Sequence, residues 1–156
     1  MFAKLTDAFG LRDEELKQQA LEWFERGDHD IETAQLLYEE CGYTDAIAYH
    51  IQQTIEKYLK GYLVLQGQKP PWVHELDTLL SLASRFRADL YSTFIDLCDK
   101  STRYYVEDRY PPGPPAEYSR EEIKADLDLA WQLVELIRQE LKASDAQAGA
   151  EKEQAP

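Results

Sequence analysis

An all-α fold of five helices is predicted by three features of the 156-residue sequence. Apolar residues recur at three- and four-residue intervals in five separate stretches, which places them on one side of a 3.6-residue helix. No alternating β-branched run marks a strand. Glycines and prolines fall between the stretches, where helices have to stop.

Met1 to Leu11 reads as a short arm, with Phe2, Leu5 and Phe9 to pack on the body and Gly10 as an interruption. The first long helix is expected from about Asp13 to Glu40, on the stripe Leu16, Ala20, Phe24, Ile31, Ala34 and Tyr38. Gly27 weakens its middle by about 1 kcal/mol relative to alanine. A glycine there either kinks the helix or lets another backbone come close. Gly42 is expected to be the left-handed residue that ends it. The link from Cys41 to Thr44 is so short that the first two helices must form an antiparallel hairpin.

The second helix is expected from about Thr44 to Gln66, with Ile47, Ile51, Ile55, Tyr58, Tyr62 and Leu65 on its packing face. His50, Gln53, Glu56, Lys57 and Lys60 line its other sides, and Glu56 with Lys60 makes an i,i+4 pair of a few tenths of a kcal/mol. Gly67 stops the helix, and Pro70 and Pro71 prevent its resumption. A shorter third helix is expected from about Val73 to Arg87 through Leu76, Leu79, Leu80, Ala83 and Phe86, with Arg85 and Arg87 suited to its negative pole.

The fourth helix starts near Ala88 or a capping Asp89 and runs through Leu90, Phe94, Leu97 and Cys98 towards Ser101 or Tyr105. Between Ser101 and Ser119 the chain is dense in tyrosine and proline, and Pro111 bars helix beyond Tyr110. Ser119 and Glu122 have the spacing of a capping box. They open the clearest stripe in the chain, Ile123, Leu127, Ala130, Val134, Ile137 and Leu141. Residues 1–142 are therefore expected to form one helical domain, and 143–156, small and polar, a disordered tail.

The formal charge of −13, from 30 acidic and 17 basic residues, opposes non-specific attraction to phosphate backbones and anionic lipid. No run is long and apolar enough for a membrane span, and no secretory leader is expected. Cys41 and Cys98 have neither disulfide-scaffold nor metal-ligand spacing, so two reduced thiols in a cytoplasmic protein are expected, with no disulfide. His29, His50 and His74 form no short-range ligand set, so no metal site is predicted. No phosphate loop, nucleophile elbow or Cys–His arrangement is present, so no catalytic residue and no cofactor are assigned.

The informative basic residues are Lys57 and Lys60, with Arg103 and Arg109 flanking the aromatic run. If they converge, they make a local anion site, with Tyr104, Tyr105 or Tyr110 to stack on a base. The alternative is that the lysines solubilise a helix face and the arginines pair with Glu107 and Asp108. Trp72 either plugs the end of the bundle or stacks on a ligand, and His74 either makes a local hydrogen bond or joins the site.

Trp23, Gly27, Asp30, Ala34 and Leu37, then Gly42, Tyr43 and Ala46, are followed in order by Gln53, Glu56, Lys57, Leu59, Lys60, Gly67, Pro71, His74 and Leu76. This series resembles the HEPN (higher eukaryotes and prokaryotes nucleotide-binding) domain family over roughly Leu16 to Leu141. The resemblance implies an antiparallel up-and-down bundle of four main helices plus a short one. It also implies a homodimer and a minimal nucleotidyltransferase partner in a toxin–antitoxin-like pair.

Many members of that family are metal-independent ribonucleases that use an arginine followed, after four to six residues, by a histidine. Here Arg103 is followed by Tyr104 to Tyr110 with no histidine, which removes the acid–base group of that reaction. The Arg109-Tyr110-Pro111 run resembles a branch that lacks the motif. The expected function is therefore binding of a nucleotide or RNA phosphate, of the nucleotidyltransferase, or of both, with Lys57, Lys60, His74, Arg103, Arg109 and Tyr110 as contacts and without evident catalysis. The alternative is a metal-independent ribonuclease toxin with a non-standard site around Arg103.

Overall fold

The structure, a computed structural model, describes residues 2–106, 110–112 and 117–153, and side chains within them apart from 2–11, 105, 106 and 152. Five helices follow one another: α1 (Phe2–Glu39), α2 (Thr44–Leu65), α3 (Leu76–Ala83), α4 (Asp89–Val106) and α5 (Arg120–Glu153). Four long helices and one short one form the predicted all-α, up-and-down bundle, with no strand among the described residues.

α2 is the central helix, buried on nearly every side from Ile47 to Val64. It runs antiparallel to α1: Asp30 meets His50 near the α1–α2 turn, and Asp28 meets Tyr58 lower down. It runs alongside α5 in the same direction, since Tyr118 reaches Thr44 and Arg138 reaches Tyr58. α4 returns antiparallel to α5, tied by Tyr104 to Asp126 at one end and by Arg87 to Glu140 at the other.

The open question at Gly27 is answered by packing, because α1 is continuous there. A Cβ on Gly27 would stand 2.7 Å from the Tyr58 ring, and one on Gly61 of α2 would stand 2.6 Å from the Phe24 ring. The two glycines admit rings that then stack on each other, Phe24 and Tyr58 lying 5.0 Å apart between centroids. Close approach of α1 and α2 is thus built from a small residue on each helix.

Several boundaries differ from expectation. The residues read as an arm belong to α1, which begins at Phe2; a single Gly10 costs about 1 kcal/mol and does not break a helix. Cys41, not Gly42, takes the left-handed conformation, with φ 56°. The amide of Gly42 bonds the Leu37 carbonyl and that of Cys41 bonds Tyr38, the paired pattern of a Schellman ending. Gly42 is required for space, since its Cβ would lie 2.9 Å from the Leu37 carbonyl oxygen. Gly67, at φ 73°, ends α2 as expected.

α3 is shorter than predicted because its start is set from outside. The Thr102 hydroxyl on α4 takes the amide of Leu76, and the chain before it is extended. Arg87 does not serve the α3 pole but pairs with Asp89 and Glu140. At α5 the capping box is present in both directions, Ser119 and Glu122 exchanging 3.1 Å bonds. α5 also continues through the segment expected to be a disordered tail, as far as Glu153. Every described side chain beyond Leu141 is exposed; alanine-rich composition and the Lys17–Asp145 pair at 2.5 Å hold the helix there.

Candidate functional site

The polar face of α2 carries two carboxylate-centred networks. The first joins α1 to α2: Asp30 accepts from His50 Nδ1 at 2.8 Å through one oxygen and from Lys57 through the other. Burial pushes the Asp30 carboxyl up, but the hydrogen bonds from His50 and Lys57 outweigh it, and its pKa lies below the ordinary value. An ionised carboxylate only accepts, so His50 Nδ1 is the donor in that bond.

The second network is deeper. Glu56 accepts from Lys60 at 2.8 Å, from Gln52 at 3.1 Å and from His74 Nδ1 at 3.1 Å. The Glu56 and Lys60 side chains are 8% and 7% exposed, whereas His74 is 54% exposed. Burial raises the Glu56 pKa, and Lys60, His74 and Gln52 together bring it below the ordinary value. Lys60 also lies over the Trp23 ring, 5.7 Å from its centroid. Gln53 bonds Gln52 at 2.7 Å and extends this network along the helix.

Lys57 and Lys60 therefore do not share an open cleft: each is neutralised by its own carboxylate. Arg103 is exposed on α4, in a groove of about 320 Å³ that it shares with Glu75, Asp77, Asp99 and Thr102. His74 is joined to this groove through the backbone, its amide bonding the Glu75 carboxylate at 3.2 Å. Tyr110 is 69% exposed, and Arg109 lies outside the described residues. Tyr104, offered as a stacking platform, is buried, with its hydroxyl on Asp126 at 2.9 Å. Trp72 plugs nothing, standing 95% exposed.

Reading the sequence for cations found Glu56 as the partner of Lys60 but missed Asp30, the carboxylate that holds Lys57. The signal was a helix otherwise apolar in its middle that carries His50, Gln53, Glu56, Lys57 and Lys60 within three turns, because buried polar groups need partners. The first network ties α1 to α2, and the second ties α2 to the segment before α3. No group of three or more potential metal ligands occurs among the described residues, and both cysteines are free. No described helix is long and apolar enough to cross a membrane.

The family model of the HEPN domain matches residues 20–141. The chain belongs to the HEPN domain family. Among solved structures, this HEPN chain is similar to TT1696 from Thermus thermophilus, with a TM-score of 0.65 and 27% sequence identity, over 78% of this chain and 97% of that one. No curated protein matches it. The matched span contains both α2 networks and ends at Leu141, where side-chain burial also ends.

Proposed function

We infer that this HEPN protein works by binding rather than by cutting. It docks a partner protein, a minimal nucleotidyltransferase on the family resemblance, and does so as a homodimer in a toxin–antitoxin-like pair. The observation that carries this reading is the state of the two lysines: both are neutralised within the fold, while Trp72, Tyr43 and Tyr110 stand 95%, 84% and 69% exposed. Exposed aromatic rings are favoured at interfaces, and a net charge of −13 disfavours a polyanion. Co-expression with a minimal nucleotidyltransferase should yield a complex of defined mass. Replacing Trp72, Tyr43 and Tyr110 with serine should dissolve that complex without lowering the melting temperature. A strictly monomeric protein that recovers no nucleotidyltransferase would sink the reading.

A second reading, binding of a nucleotide or RNA phosphate, is favoured by one observation. Arg103 makes no ion pair among the described residues and opens on a groove, so a phosphate has a free guanidinium there, with His74, Tyr110 and Arg109 as further contacts. The three carboxylates in the same groove set the affinity low. Titration of ATP and a short RNA into wild type and Arg103→Ala checks it, and equal binding by the two removes Arg103 from the site. Metal-free cleavage of single-stranded RNA that vanishes in Arg103→Ala would replace both readings with the ribonuclease one.

A further inference from the structure

At the end of the bundle away from the α1–α2 turn, a notch of about 90 Å³ opens between the chain that follows α2 and the end of α3. It is lined by Leu63, Leu82 and Phe86, with Gln68, Lys69 and Arg85 around them. Neither Lys69 nor Arg85 makes an ion pair among the described residues, in contrast to Arg87 close by in sequence, which Asp89 and Glu140 hold. An apolar cavity of roughly 150 Å³ takes up benzene. A smaller notch suits one aliphatic side chain and not a nucleobase.

Near the opposite end, α1 presents a shape and charge that match. Leu36 is 58% exposed, and Glu32, Glu39 and Glu40, all exposed, stand four before, three after and four after it. Those spacings put all four residues on one helix face. None of the three carboxylates has a cation among the described residues; Glu39 bonds only the neutral amide of Gln35, at 2.7 Å. Arg120, which reaches this end, is turned to the Tyr38 carbonyl and ring.

We propose that Leu36 of one copy of this chain seats in the Leu63–Leu82–Phe86 notch of another, with Glu32, Glu39 and Glu40 facing Lys69 and Arg85. The two patches are separated by about 19 helical residues of α2, or roughly 28 Å, so a copy cannot fill its own notch. The contact deepens the self-association in the reading above by giving it two complementary surfaces.

Two variants test it by complementation. Lys69→Glu with Arg85→Glu disables the notch and leaves the knob; Leu36→Lys disables the knob and leaves the notch. All three positions are exposed, so both variants should melt as wild type does. The notch variant, dye-labelled at its N-terminal amine, is titrated with each protein and followed by fluorescence anisotropy. Saturable binding is expected with the unlabelled knob variant, at least tenfold tighter than with the unlabelled notch variant. Equal binding by the two titrants would leave the protein self-associating through another face and overturn this contact alone. No binding by either would overturn it as well.

Discussion

The Asp30 and Glu56 networks sit within three turns of α2 and share a chemistry, a carboxylate accepting from one lysine and one histidine, with Gln52 as a further donor at Glu56, yet they differ in how far water reaches them. Asp30 joins two long helices, and its lysine and histidine are 23% and 27% exposed. Glu56 pairs with a lysine on its own helix that is 7% exposed, and its histidine comes from the extended segment before α3. Water can replace a lost partner at Asp30, whereas at Glu56 it reaches only His74. The lysine and histidine common to both networks therefore carry different energies, and the difference comes from burial.

The sharpest way to break this comparison is to remove one carboxylate at a time. Glu56→Leu leaves the Lys60 ammonium buried and unpaired, and a cost of about 3–5 kcal/mol is expected, read as a drop in the urea midpoint. Adding Lys60→Met should recover most of that loss, because a buried ion pair replaced as a whole by apolar side chains is close to neutral. If the single and double variants are equally unstable, the pair is not the source of the effect.

A second break acts through the distance between α1 and α2. Gly61→Ala places a methyl 2.6 Å from a Phe24 ring already stacked on Tyr58, so the ring has nowhere to turn. Overpacking of this kind costs about 1–3 kcal/mol. Separating the helices should also lengthen the Lys57–Asp30 bridge, which would show as a larger loss in Gly61→Ala at neutral pH than in acid.

Much of this was legible in the sequence, and the rest was not for identifiable reasons. The helical stripes, the Ser119–Glu122 box and the Gly67 stop are local patterns, and local geometry fixes them. The Glu56–Lys60 pair was legible too, but as an exposed i,i+4 contact of a few tenths of a kcal/mol; only the chain folded over it makes it a buried one. Asp30, 27 residues before Lys57, shares no period with it, so the neutralisation of that lysine is visible only in three dimensions. The start of α3 depends on the Thr102 hydroxyl of another helix. Cys41 shows a different limit: the left-handed position was expected one residue late, because the glycine beside it is present for space.

Acid should separate the networks by a smaller amount. Both carboxyls have folded pKa values below their ordinary ones, 3.8 for Asp30 and 4.5 for Glu56. A depressed folded value contributes stability that is fully present above the unfolded pKa and lost as the pH falls through the folded value. Stability from the Glu56 network should thus begin to fall below about pH 4.5 and that from Asp30 below about pH 3.8. Asp30→Asn, expected to cost about 1–2 kcal/mol at pH 7 with its partners partly in water, should keep the higher acid limb and flatten the lower one. Urea midpoints measured from pH 7 down to pH 3 check this, and an unchanged profile in Asp30→Asn would remove Asp30 from the acid response.

The smallest effect is expected at His74, and it distinguishes the two networks most directly. His50 lies on a helix that is fixed with or without its bond to Asp30. His74 lies in the extended segment between Gly67 and Leu76, where its bonds to Glu56 tie that chain to α2. His74→Ala leaves Glu56 its bonds from Lys60 and Gln52, and it removes only a half-exposed ring. Global stability should therefore change by less than about 0.5 kcal/mol. The segment itself loses a tether, and a low-stability element opens locally without unfolding the rest. Chymotrypsin cleavage after Trp72, 95% exposed in this segment, should accelerate several-fold in His74→Ala while the urea midpoint stays in place. His50→Ala should show the reverse, a lower midpoint with cleavage at Trp72 unchanged. Equal behaviour of the two variants in both assays would mean that the two histidines do the same work, and the distinction between a helix-to-helix tie and a loop tether would fail.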